Sequence, residues 1–148
     1  MAPTALVSIG YEGRTLEDLV HKLRELRVAS LADVRLTPLS RKPGLSKTRL
    51  GQALRGSGID YVHFRALGNP RDNREVFRSG DAAAGCLRFA KILEAPDATE
   101  ALERLEGLAR EDRTAILCFE RDHTRCHRQV IIDEVSQRLG AAAPVVYA

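Results

Sequence analysis

The chain has no tryptophan, and tyrosine and phenylalanine bring its aromatic share to only 5%. Extended stacking platforms for single-stranded nucleic acid need several aromatic faces in series, so that mode of binding is disfavoured. No apolar run approaches the roughly 20 residues that cross a bilayer. The start, Met-Ala-Pro-Thr, lacks the basic and apolar regions of a secretory signal. A cytoplasmic location and no membrane partner are therefore expected. Cysteines number three, an odd count that suits a reducing compartment better than a disulfide framework and leaves the thiols open to catalysis or metal binding. What is present, 148 residues with 44% hydrophobic and 29% charged side chains, is ordinary globular composition at the size of one domain. Residues 1–148 are read as a single domain, with no repeat or linker.

Acidic residues are also missing from one long stretch. Between Val34 and Ile59 there is none, while Arg35, Arg41, Lys42, Lys47, Arg49 and Arg55 are basic. The segment from Glu94 to Asp112 is predominantly acidic. A net charge of only +3 thus hides an asymmetry that favours a positive face for phosphates or other anions, with a solvated basic loop as the plainer alternative.

Apolar periodicity gives an alternating pattern. Ala5 to Gly10 reads as a strand ending in Gly-Tyr-Glu-Gly-Arg. Thr15 then opens a helix with Leu16, Leu19, Val20, Leu23 and Leu26 on one side, and Thr15 with Asp18 approximates a capping box. Ser30 to Arg35 is a second strand, running into a proline- and glycine-broken basic loop. Ser46 is placed to cap a helix carrying Leu50, Ala53 and Leu54, which Gly56-Ser57-Gly58 ends before a strand from Ile59 to Phe64. Asn73 to Ala109 reads as helical pieces separated near Gly80 and Pro96. Thr114 to Phe119 is a strand, Arg128 to Leu139 a helix, and Pro144 to Tyr147 a last short strand. The expected fold class is α/β: a mainly parallel sheet of about five strands flanked by helices, because parallel neighbours need crossovers. In such sheets the ligand lies beyond the carboxyl ends of the strands, and the unusual polar residues here all follow strands.

The densest of them run from Leu117 to Arg128: Leu-Cys-Phe-Glu-Arg-Asp-His-Thr-Arg-Cys-His-Arg. A thiol at a helix start beside histidine and arginine has its thiolate favoured by the helix dipole and the nearby cations, which ranks Cys126 as the reactive thiol. Cys118 is read as a second nucleophile or as a small buried hydrophobe, and Cys86 as a core or helix residue. Glu120 and His127 are the acid–base candidates. Arg128 and the free amides of the last helix form a candidate phosphate site. Arg14, Arg35 and Arg41, with His63, Arg65 and Tyr11, are expected to face the same anion-binding cleft. Asp33, two residues from Arg35, shares its face of the strand and is read as its partner. Cys118, His123, Cys126 and His127 offer nitrogen and sulfur ligands, but their spacing fits no familiar zinc pattern, so no metal residue is assigned.

The motifs Ser-Ile-Gly-Tyr-Glu-Gly-Arg-Thr-Leu-Glu at 8–17, Asp-Val-Arg at 33–35, Pro-Leu-Ser-Arg with Lys-Pro-Gly-Leu-Ser-Lys at 38–47, Tyr-Val-His at 61–63, Leu-Gly-Asn-Pro at 67–70 and Leu-Cys-Phe-Glu with Cys-His-Arg at 117–128 together resemble the DUF488 family. The resemblance implies a compact α/β fold and functional weight for Cys118, Glu120, Cys126, His127 and Arg128. It names no reaction or cofactor. A weaker likeness, to rhodaneses, rests on Asp-Val-Arg and a later cysteine, without their glycine-containing loop.

The leading expectation is an enzyme acting on a nucleotide or nucleic acid, with arginines holding phosphate and a thiol, His or Glu carrying the chemistry. The alternatives are a thiol-dependent enzyme for a small anionic substrate, rhodanese-like or hydrolytic, and a non-catalytic module binding iron, zinc or another ligand.

Overall fold

The computed structural model describes residues 6–140 and 144–148; Ala5, the expected start of the first strand, lies outside them. The elements are β1 (Leu6–Gly10), α1 (Leu16–Glu25), β2 (Ser30–Asp33), α2 (Lys47–Gly56), β3 (Asp60–His63), α3 (Arg71–Arg78), α4 (Ala82–Ile92), α5 (Pro96–Glu111), β4 (Thr114–Cys118), α6 (Arg128–Leu139) and β5 (Val145–Tyr147). Single 3₁₀ turns occupy Arg65–Leu67 and His123–Arg125.

The five strands form one parallel sheet in the order β3-β2-β4-β1-β5. Every residue of β1, β2 and β4 is buried, which is why these segments read as continuous apolar runs rather than alternating ones. The period-2 pleat still sorts their side chains between two cores. Val7, Ile9, Leu31, Ala115 and Leu117 meet Leu19 and Leu23 of α1 and Leu50 and Leu54 of α2. Leu6, Ala32 and Ile116 meet Phe89 of α4, Leu102 and Leu105 of α5, and Ile131, Ile132 and Val135 of α6. No helix among the described residues is long and apolar enough to cross a membrane.

Local chemistry sets the element ends. Thr15 and Asp18 form a reciprocal capping box at α1: the Asp18 amide donates to Thr15 Oγ1 at 3.1 Å, and the Thr15 amide to Asp18 Oδ2 at 2.9 Å. Asp81 caps α4 through the Ala84 amide, so the region from 73 to 109 resolves into three helices, broken beside Gly80 and at Pro96. Ser46 occupies the N-cap of α2, but its hydroxyl accepts from the Ser40 amide instead, tying the basic loop to itself. β2 ends at Asp33, two residues earlier than expected, because the Asp33 carboxylate accepts the Arg35 amide and turns the chain.

The order of strands positions the site. From β1 the chain passes to β2 and outward to β3, and β4 returns to fill the place between β2 and β1. The carboxyl ends of β1, β4 and β2 therefore stand side by side where the direction of winding reverses, the position at which open parallel sheets bind ligands.

Candidate functional site

A cleft of about 260 Å³ opens at those three strand ends. Tyr11 after β1, Arg35, Leu36 and Thr37 after β2, and Cys118, Phe119 and Glu120 after β4 contribute to it, together with Asn69, Arg74 and Arg78 from the α3 region and Arg125, Cys126 and His127 from the approach to α6. Gly10 makes the arrangement possible. A Cβ there would overlap the Glu120 carbonyl, so only glycine lets the loop after β4 lie across the end of β1. Backbone bonds then stitch the two together, from the Tyr11 amide to the Cys118 carbonyl at 3.3 Å and from the Glu12 amide to the Phe119 carbonyl at 2.9 Å.

Cys118 and Cys126, both 2% exposed, form the floor. The odd cysteine count suggested free thiols; the structure instead joins these two in a disulfide and leaves Cys86 free. The eight-residue step between them loops out through the 3₁₀ turn and returns the start of α6 to the end of β4. Arg128, fully buried, lies against this pair. Its Nη1–H donates to Cys118 Sγ at 2.8 Å, its Nε–H to Ser8 Oγ at 2.6 Å, and its amide to Cys126 Sγ at 3.4 Å. Burial lowers the Arg128 pKa to about 10, with Glu120 and Asp122 acting in the opposite sense through space, so the group remains a cation at neutral pH. Glu120 Oε2 is 3.4 Å from Cys118 Sγ.

His127 is buried, and burial pushes its pKa down to about 4. Its ring is thus neutral at pH 7. Nε2 lies 2.9 Å from the Val34 carbonyl, which can only accept, so the proton is on Nε2 and Nδ1 keeps its lone pair, facing Cys126 Sγ at 3.6 Å. Cys118, Cys126 and His127 each present one donor atom, all within 4.8 Å of one another. That grouping of ligand types suits a soft metal ion.

The arginines divide in a way the sequence did not indicate. Arg35 lines the cleft but is committed inward. Nε and Nη2 donate to the two oxygens of Asp33 at 2.9 and 2.7 Å, and Nη1 to the Leu45 carbonyl at 2.7 Å and Tyr11 Oη at 3.4 Å. Burial opposes its charge, but the Asp33 carboxylate more than offsets this and its pKa rises. Tyr61 completes the cluster by donating to Asp33 at 2.5 Å. Burial, reinforced by that carboxylate, pushes its phenol pKa up. The expected phosphate site at the start of α6 is not open either. Its first amides are taken by Cys126 Sγ and the Cys126 carbonyl.

Arg14 bonds the Gly10 carbonyl outside the cleft, Arg41 sits in the exposed basic loop, and Arg65 is exposed in the first 3₁₀ turn. His63 bonds the Arg35 carbonyl at 2.7 Å beside a separate groove on β3. These four are not brought to the floor; Tyr11 is, its ring edge-on to Phe119. The residues missed were Arg74, Arg78 and Arg125, which are exposed at the cleft and form no ion pair among the described residues. The first two lie four apart on α3 and therefore share a helix face, a signal available in the sequence.

Fold and site together define an α/β protein with a cysteine–histidine cluster at a topological switch point. The chain belongs to the family described as domain of unknown function DUF488, whose model matches residues 15–135. Neither a curated protein nor a solved structure matches it.

Proposed function

We propose that the protein is an enzyme that takes a small, multiply anionic substrate into the cleft and acts on it at the floor formed by Cys118, Cys126, His127 and Glu120. One observation carries the reading: three arginines from two separate elements, Arg74, Arg78 and Arg125, none of them in a salt bridge or side-chain hydrogen bond among the described residues, stand around a cleft whose floor holds the two sulfurs and the neutral imidazole. Surface cations usually find carboxylates or spread over a face. Three converging on one concavity match an oxyanion ligand, since each planar guanidinium can present two donors. The dimensions select among anions. About 260 Å³ admits a sugar phosphate, or the phosphate end of a nucleotide, but not a duplex. Nucleic acid is accordingly the less favoured substrate.

Calorimetry of the oxidised protein with inorganic pyrophosphate at low ionic strength tests the binding step. Saturable binding that weakens with added salt and falls at least about tenfold, roughly 1.4 kcal/mol, in Arg74→Ala/Arg78→Ala is expected. Absence of binding, or an unchanged affinity in the double variant, would overturn the reading. In the reduced protein, saturating pyrophosphate should slow alkylation of Cys118 and Cys126 but not of Cys86.

A further inference from the structure

We infer that, once the Cys118–Cys126 bond is reduced, Cys118 Sγ, Cys126 Sγ and His127 Nδ1 bind one thiophilic divalent metal ion of the zinc class, with a fourth position open to the cleft beside Glu120. The metal site stands on its own geometry; the identity of the fourth ligand, an oxygen of the anionic substrate, rests on the function proposed above.

The three donors come from the end of β4 and the start of α6, within 4.8 Å of one another. The His127 ring is oriented as metal-binding histidines are. Its Nε2–H is anchored on the Val34 carbonyl at 2.9 Å, which fixes the tautomer and turns the Nδ1 lone pair towards the sulfurs. The two Cα atoms are 7.6 Å apart, wider than the roughly 4.4–6.8 Å at which cysteines are ordinarily bridged, so the backbone leaves the reduced thiols room to part around an ion. The Arg128 side chain and amide donate to the two sulfurs, giving thiolates the outer-layer N–H donors that orient and tune metal ligands. Two cysteines and one histidine leave one position free on a tetrahedral ion, the pattern of catalytic rather than structural zinc.

Charge identifies what takes that position. A divalent ion and two thiolates sum to zero, leaving the buried Arg128 cation beside them and the arginines above. Among the described residues, Glu120 is the one carboxylate that lines the cleft. An anionic oxygen ligand is therefore favoured over a neutral one. The redox step balances with a phosphine reductant: the phosphine takes oxygen from water and becomes its oxide, the S–S bond breaks, and two thiols form. Binding of the ion then releases their two protons.

The test is an anaerobic titration of the phosphine-reduced protein with Co²⁺, followed by competition with Zn²⁺. One equivalent should bind with thiolate-to-cobalt charge-transfer absorption and the visible bands of a tetrahedral ion. Cys86→Ser should leave both unchanged, and His127→Ala should weaken binding about tenfold or more. Cys118→Ser and Cys126→Ser should each abolish the charge-transfer band, and should they fail to fold, the unaltered protein still decides. With Zn²⁺ present, mass spectrometry after alkylation should show Cys118 and Cys126 spared and Cys86 modified. A folded, reduced protein that takes up no Co²⁺ or Zn²⁺, or whose Cys118 and Cys126 alkylate equally fast with and without Zn²⁺, overturns the metal site. Pyrophosphate binding to the oxidised, metal-free protein is read separately, so the two proposals fail independently.

Discussion

Replacing Arg35 by alanine separates a structural arginine from a ligand-binding one. Asp33 is fully buried, and Arg35 supplies two charge-assisted hydrogen bonds to its carboxylate, at 2.9 and 2.7 Å. Among the described residues, only the Tyr61 hydroxyl and the Arg35 amide remain as donors once the guanidinium is gone. Removing one member of a buried ion pair costs about 3–5 kcal/mol, because the surviving charge is left uncompensated. The Leu45 carbonyl also loses its donor. For a chain of this length 1 kcal/mol corresponds to about 2–4 °C in Tm, so Arg35→Ala should melt on the order of 10 °C lower. Urea denaturation should show a reduced midpoint with an unchanged slope. Arg35→Ala/Asp33→Asn should recover part of the loss, since it removes the stranded charge. If Arg35→Ala costs less than about 1 kcal/mol and the double variant is no more stable than the single one, the buried pair does not anchor the strand end.

Gly10→Ala should destabilise by about 1–3 kcal/mol in urea, since the new Cβ meets the Glu120 backbone, which cannot swing aside as a side chain does. The raised Tyr61 pKa fixes the sign of an alkaline effect. The folded state favours the protonated phenol, so its contribution is complete below the unfolded pKa of about 10 and is lost as pH rises above it. Tyr61→Phe should accordingly flatten the decline of Tm above that pH. Alkylation of the native, unreduced protein should add a single label, at Cys86, because the other two of the three cysteines are bonded. Burial raises the Cys86 thiol pKa, so labelling should be slow at neutral pH and accelerate with alkali. Three labels without reductant would contradict the bonded pair.

The fold was legible because its signals are local. Short strand-forming runs, four of them closed by glycine, proline or a polar turn, alternate with helical periods, and parallel connections follow from that alternation. What the runs do not encode is lateral order. Nothing in Thr114 to Cys118 says that this strand enters between β1 and β2; that depends on which faces its neighbours leave apolar. Boundaries drifted for a related reason. Asp33 ended its strand by accepting from the Arg35 amide; Ser46 kept the N-cap of α2, but its hydroxyl accepts from the Ser40 amide rather than from its own helix. In both, a side chain competed with the backbone pattern.

The sequence brought Cys118, Cys126 and His127 together correctly but did not show which arginines would stand open at the cleft, and the distinction is physical. A short motif such as Cys-His-Arg at a strand-to-helix turn places its residues wherever that turn lies. An arginine, by contrast, reaches several ångströms, and its role is set by whether its donors are already satisfied. Arg35 and Arg128, singled out by position after a strand and at a helix start, are buried and engaged by Asp33, Leu45, Ser8 and Cys118. Arg74, Arg78 and Arg125, not singled out from the sequence, make no salt bridge or side-chain hydrogen bond among the described residues and stand at the cleft. On this division the inner arginines govern stability and the outer ones affinity. Arg35→Ala should lower Tm while retaining pyrophosphate affinity in the folded fraction, and Arg74→Ala should leave Tm within about 1 °C while weakening that affinity. Measuring both quantities on both variants completes the argument, and a variant of either class that changes the wrong quantity refutes it.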